Sequence, residues 1–313
     1  MAEPTPAQAA AVLRRGGLVA FPTETVYGLG ADASNGNAVA RLYAVKRRPR
    51  AHPVIVHFAD AETAFGWARE VPGAARTLAA RFWPGPLTLI LKRSSLAKDF
   101  VTGGQDTVGL RIPSHPIAQA LLRHFDGAVA APSANRFGLV SPTTAAHVRD
   151  DLGNDVDLVL EGGPSEVGIE STIVGLSGAT PVLLRPGHVS KAEIEALIGP
   201  VGEKDTSSPR HSGGLERHYA PRTPASLVPT YALDREIAKG RDKVAVLAFS
   251  RPDERVDYWL RMPRDPQAYA QRLYAALREL DTARCERILV EAPPDTAEWS
   301  AVRDRLRRAC EAA

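Results

Sequence analysis

Apolar and polar positions along residues 1–200 change period again and again. Helical spacing, with apolar residues three and four apart, runs over about residues 37–47, 60–69, 73–82, 115–125 and 143–151. Thr5 followed by Pro6 opens an earlier helix that Gly16 closes. Short β-rich runs lie between, at about residues 18–21, 54–58, 87–91, 108–112, 128–131, 156–160, 171–176 and 182–184. Several of these strands follow one another with no crossover helix between them, which a purely parallel sheet does not allow. The pattern predicts an α/β fold: a twisted mixed parallel/antiparallel sheet with flanking helices.

The pattern breaks after Gly199. Residues up to Pro224 are rich in Gly, Pro, Ser and charge and follow neither period, as a linker does. Strands resume at about residues 225–231, 243–249 and 287–292. A helix opened by Asp265 and Pro266 places Leu273, Leu277 and Leu280 on one face, and a last helix aligns Trp299, Val302, Leu306 and Ala309. The expected organisation is a domain over 1–200, a linker over 201–224, and a small C-terminal α/β Rossmann-like domain over 225–313.

Composition narrows the class. At 313 residues, 44% apolar and 24% charged, the chain is globular and long enough for two cores. No stretch reaches the roughly 18 to 20 unbroken apolar residues of a membrane span, and MAEPTPAQAA has an acid and prolines where a signal peptide is basic and then apolar. A cytoplasmic protein is expected, with no membrane contact. Cys285 and Cys310 lack metal-ligand spacing and read as packing residues. The net charge of +3 divides into +2 for residues 1–225 and +1 for residues 226–313, so neither part carries the broad basic face of a nucleic-acid binder.

Charge is concentrated instead at KRRPRAHPVIVH, residues 46–57. From Ala33 to Ala59 there is no acid, while Arg41, Lys46, Arg47, Arg48 and Arg50 are cationic. A bound phosphate explains this, and so does a solvated basic loop at a helix end. Walker, nucleophile-elbow and zincin motifs are absent. GLGADA, residues 28–33, matches a loose dinucleotide fingerprint, but Pro22 breaks the preceding strand and no acid follows about 20 residues on, so it reads as a decoy. The loop from Ala130 to Asn135, with Ser141 to Thr144 behind it, offers Ser133, Asn135, Ser141 and a helix N-terminus, which suits an anion or simply a turn and a cap. Thr107, Arg111, Ser171 and Arg185 lie in or at the start of β-rich runs. An arginine there faces either solvent or an anionic partner.

Taken in order, FPTETVYGLGADA, Lys46-x-Arg48-Pro49 leading to His52 and His57, FWPGPLTLIL, VGLRIPSHP, APSAN with SPT, GIESTIV and LLRPG resemble the YrdC-like family of L-threonylcarbamoyladenylate synthases. SGGLERHYAPRTP resembles the interdomain linker of its longer, two-domain members. The resemblance implies an enzyme, a nucleotidyltransferase that joins L-threonine, bicarbonate or CO2 and ATP into threonylcarbamoyl-AMP and pyrophosphate. Other proteins then carry the group to tRNA. It implies that Thr25, His57, Arg111, Ala131 and Ser171 line the threonine site. Lys46, Arg48, His52, Thr107, Ser133, Asn135, Ser141 and Arg185 would hold ATP, with Tyr219 folding back from the linker. Mg2+ would arrive with ATP, and no protein metal site is implied. His52 stands where many members have Asn, and the Ser-Pro-Gly-Met run after Ser208-Pro209 is missing. Two readings of other kinds remain at this stage. One is an RNA-binding module without catalysis, with the arginine cluster making a weak RNA contact; the other is carbamoyl transfer, which usually brings zinc-finger cysteines.

Overall fold

The computed structural model describes residues 3–215, 217–240 and 242–312. The chain forms two compact units. The first comprises residues up to Phe137, then Pro142–Glu166 and Glu170–Gly214; the second comprises Gly138–Ser141, Val167–Ile169 and the chain from Leu215 onward.

The strands of the first unit are β1 (Val19–Phe21), β2 (Gly28–Asp32), β3 (Ile55–His57), β4 (Leu87–Lys92), β5 (Thr107–Arg111), β6 (Val129–Ala130), β7 (Leu158–Val159), β8 (Thr172–Gly175), β9 (Val182–Arg185) and β10 (Gly202–Glu203). They form one sheet in the order β10-β9-β8-β4-β5-β3-β6-β2-β1-β7. β3–β5 and β4–β8 run parallel, whereas β4–β5, β3–β6 and β1–β2 run antiparallel. The expected mixed sheet is therefore present.

Both faces are buried, and period 2 decides which side each residue serves. Leu18, Ala20, Val56, Leu89 and Leu110 point to one core, with Val39 and Leu42 of helix Gly36–Lys46 and Leu78 of helix Gly73–Phe82. Val19, Phe21 and Val129 point to the other, against helices Pro6–Arg14 and Pro116–Phe125. Thr5 and Gln8 close a capping box on the first of these helices.

GLGADA is a strand rather than a phosphate loop. In β2 a side chain at Gly30 would come within 2.9 Å of the Phe21 ring and 3.0 Å of Val129, so the glycine is there for close packing between strands. The linker stretch is divided too. Gly202–Glu203 adds a strand beside β9, and residues to Gly214 group with the first unit. There Arg210 donates to the Gly103 carbonyl at 2.9 Å and from its backbone to Gln105 at 2.7 Å, and Ser212 Oγ donates to the Pro53 carbonyl at 3.0 Å. Residues 205–214 are thus a strap fastened to this unit.

The second unit holds β11 (Ala225–Val228), β12 (Val244–Ala248), β13 (Tyr258–Arg261), β14 (Arg287–Glu291) and β15 (Glu311–Ala312), in the order β13-β12-β14-β11-β15. Every pairing is parallel. Asp265 caps helix Pro266–Thr282, whose Leu273, Leu277 and Leu280 are buried as the spacing predicts. Both cysteines are free.

Candidate functional site

A polar row crosses the first unit's sheet on the face of Ile55, Ile90 and Ile173. Register builds it. His57 on β3 pairs with Arg111 on β5, and the Leu89–Leu110 pairing puts Thr88 of β4 beside Arg111. Thr88 Oγ1 lies 2.8 Å from Ser171 Oγ, which precedes β8, and Arg185 of β9 donates from Nε to the Ser171 carbonyl at 3.0 Å and from Nη2 to its Oγ at 3.1 Å. Gly187 permits this approach, since a Cβ there would lie 2.4 Å from the Thr172 nitrogen. His57, Arg111 and Ser171, expected at the threonine site, lie in one row with Arg185, expected at the ATP site.

At the centre Arg111 Nη2 donates to Glu24 Oε1 at 2.7 Å and to Thr25 Oγ1 at 2.9 Å. The second Glu24 oxygen accepts the Ser114 backbone N–H at 3.0 Å. Arg111 and Glu24 are only 5% and 4% exposed at their side chains, so this is a buried ion pair. Arg111 Nε and His57 Nδ1 are also buried, and neither has a hydrogen-bond partner in the protein. Buried polar atoms are normally satisfied, so two idle ones on paired residues mark a place for a ligand. Burial, helped by the charge of Arg111, outweighs backbone hydrogen bonds to Ile55 and Val129 and holds the His57 imidazole down to about 3, so it is neutral and its two ring nitrogens are not both donors. Ala131, buried nearby, donates its N–H to the Ile55 carbonyl at 3.0 Å. Thr107 opens β5 two alternations before Arg111, and its Oγ1 is likewise buried without a partner.

The basic run separates into buried and exposed members. Arg41 leaves the group, paired with both oxygens of Asp157 at 2.6 and 3.0 Å, and Arg47 and Arg50 are exposed. Lys46 and Arg48 are buried. Lys46 Nζ donates to the Ser133 and Asn135 carbonyls, each at 2.5 Å, and burial first, then Arg48, drives its pKa well below the usual lysine value. The lysine thus fixes the loop that carries the hydroxyl and the amide. Arg48 donates to the Pro53 carbonyl at 2.7 Å and lies over the Phe137 ring at 5.3 Å, while the His52 ring packs on the same Phe137 at 5.4 Å. Burial and the charges of Arg48 and Arg210 lower the His52 pKa. Arg185 Nη1 reaches the strap, donating to the Ser212 carbonyl at 2.9 Å.

Ser141 and Tyr219 belong to the second unit and are described with it. Arg278 donates to the Ser141 carbonyl at 3.4 Å. Tyr219 is buried with a left-handed backbone (φ 63). The Arg305 guanidinium lies 5.4 Å from its ring centroid. Asp304 takes Arg305 at 2.9 Å and three bonds from Arg308 at 3.1 to 3.2 Å, and Arg308 also donates to the Leu215 carbonyl. Burial raises the Asp304 carboxyl, but Arg305 and Arg308 outweigh it and hold the group at about 2.

Glu24, Thr88 and Phe137 were not among the residues expected from the sequence. Glu24 had a visible signal, as the acid of FPTETVY between apolar neighbours. Among the described residues no cluster of three or more His, Cys, Asp or Glu could hold a metal, and no helix is long and apolar enough to cross a membrane.

Residues 11–187 match the Sua5/YciO/YrdC family model, described as telomere recombination, and residues 189–311 match the threonylcarbamoyl-AMP synthase C-terminal domain. The chain is 41% identical to a threonylcarbamoyl-AMP synthase of Bacillus subtilis, over 98% of this chain and 93% of the relative. It is 40% identical to one of Pyrococcus abyssi, over 96% and 92%. The crystal structure of P. abyssi Sua5 complexed with L-threonine superposes with a TM-score of 0.92 at 38% identity, covering 97% of this chain and 93% of that one. Escherichia coli YciO matches 60% of this chain and 92% of its own, with a TM-score of 0.54 and 27% identity.

Proposed function

The chain belongs to the Sua5/YciO/YrdC family in its two-domain form, and we propose that it is a threonylcarbamoyl-AMP synthase, making threonylcarbamoyl-AMP and pyrophosphate from L-threonine, bicarbonate or CO2, and MgATP. The observation that carries this reading is the buried Arg111, whose Nε is idle beside the idle Nδ1 of His57. A carboxylate satisfies the guanidinium, whose planar fork matches two oxygens. Thr25, His57, Ala131 and Ser171 complete the walls of a pocket for an amino acid.

Threonine and CO2 form a carbamate unaided. Its oxygen then attacks the α-phosphorus of ATP, the bond to pyrophosphate breaks in line, and the acyl phosphate remains. This step asks for positioning and neutralisation of the phosphate charge rather than for a protein nucleophile. Lys46, Arg48 and Arg185 supply cations, Thr107, Ser133, Asn135 and Ser141 supply hydroxyl and amide partners, and His52 on Phe137 flanks Arg48. Tyr219 is the remaining residue of the proposed nucleotide set. Magnesium comes as part of the nucleotide, carried by phosphate oxygens and water. The reading places the enzyme in the cytoplasm, at the first step of tRNA threonylcarbamoyladenosine formation, with transfer proteins taking the intermediate onward.

The test is pyrophosphate release from MgATP by the full chain, with the product identified by mass. Release that requires both L-threonine and bicarbonate is expected. Release indifferent to either one overturns the reading, and steeply salt-dependent RNA binding without turnover would return the chain to the RNA-binding class.

A further inference from the structure

We infer that Glu24 is a positioning residue that sets the direction in which the Nε–H of Arg111 meets the amino acid. The inference rests on the reading of Arg111 as the carboxylate clamp and adds a residue to it. Four observations carry it. Glu24 is as deeply buried as Arg111, with side chains 4% and 5% exposed. Both its oxygens are in use, Oε1 on Arg111 Nη2 at 2.7 Å and Oε2 on the Ser114 N–H at 3.0 Å, so the carboxylate cannot turn away without stranding a backbone donor. Thr25 Oγ1 accepts from the same Nη2 at 2.9 Å and is itself 2.9 Å from Thr23 Oγ1, so the guanidinium is gripped at one end by a fixed set. Nε, which lies along the same edge of the guanidinium as Nη2, is the buried atom without a partner.

With both Nη2 hydrogens placed on Glu24 and Thr25, the guanidinium plane is fixed and the Nε–H points in one direction only. Glu24 thus turns a flexible side chain into an oriented receptor before any ligand arrives, which is where tight recognition of a small ion originates. It also offsets the charge of the buried Arg111, since an unpaired guanidinium there would be costly. A ligand that brings one carboxylate and one ammonium leaves the local charge unchanged, so the arrangement favours an amino-acid zwitterion over a simple anion.

The experiment compares Glu24→Gln, Arg111→Ala and the double variant in pyrophosphate release by the full chain, varying L-threonine and MgATP separately. Glu24→Gln keeps the shape and one acceptor but loses the charge. It is expected to raise the threonine KM about 10-fold, with the MgATP KM nearly unchanged. In the double variant it is expected to add nothing to the Arg111→Ala effect, because it acts only through that side chain. Losses that multiply in the double variant, or an equal rise in both KM values, would overturn the inference. A Glu24→Gln enzyme that matches the wild type while Arg111→Ala loses threonine also overturns it, but leaves the clamp reading standing. Arg111→Ala with an unaltered threonine KM fails that reading instead. If the single Glu24 variant does not fold, the double variant set against Arg111→Ala decides alone.

Discussion

Two buried arginine–carboxylate groups, one in each unit, look alike in composition and differ in what they leave unspent. In the second unit, Asp304 gathers Arg305 and Arg308, the Arg308 fork also takes the Leu215 carbonyl, and Arg305 lies over the Tyr219 ring. In the first, Arg111 meets Glu24 and Thr25 through Nη2 and keeps a buried Nε idle. The contrast teaches that burial and pairing alone do not mark a site. What marks it is a paired cation with a donor left over, next to a second idle atom on the neighbouring strand. The Asp304 group, by the same reasoning, is structural, holding Arg308 on the Leu215 carbonyl and Arg305 over the Tyr219 ring.

The largest effect is expected from breaking the closed group. Asp304→Ala strands two buried guanidinium groups and should lower unfolding stability by roughly 3–5 kcal/mol, while the threonine KM of the folded enzyme stays put. Denaturant titration read beside kinetics checks this, and a shifted threonine KM would erase the distinction. Next comes the open group. Arg111→Ala should cut kcat/KM for threonine about 100-fold, or about 2.7 kcal/mol, with little change for MgATP. Equal losses for both substrates would contradict its role.

The effect that is smallest within any one pH unit sharpens the contrast through acidification. The folded His57 pKa, near 3, lies below the ordinary value of about 6.5, so the unfolded chain binds the extra proton between these limits. Its contribution to stability is complete above about pH 6.5 and fades on acidification towards 3, by at most about 1.4 kcal/mol per pH unit. His57→Asn should flatten that slope, as measured by unfolding at several pH values. An unchanged slope would show that His57 is not held neutral.

Much of this could be read from the residues. The strands around His57, Arg111 and Arg185 follow from their β-rich runs, and the mixed sheet follows from strands that succeed one another directly. β2 was hidden because glycines at 28 and 30 weaken a strand signal that only the contact with Phe21 explains. Thr88 was hidden because β4 is buried on both faces, so alternation leaves no polar trace, and a hydroxyl among leucines looks like packing. Glu24 was visible as a letter but not as a partner, since Arg111 lies far along the chain and only the sheet register joins them. Residues 205–214 lack any period, and a strap held by single side-chain bonds leaves none to find.

Lys46 has a mechanical consequence. Its one ammonium group, at the end of helix Gly36–Lys46, grips two carbonyls of the Ser133–Asn135 loop. Helix end and loop are thereby riveted together, so any recoil of one drags the other, and the serine, the asparagine and the neighbouring Arg48 travel as a single jaw.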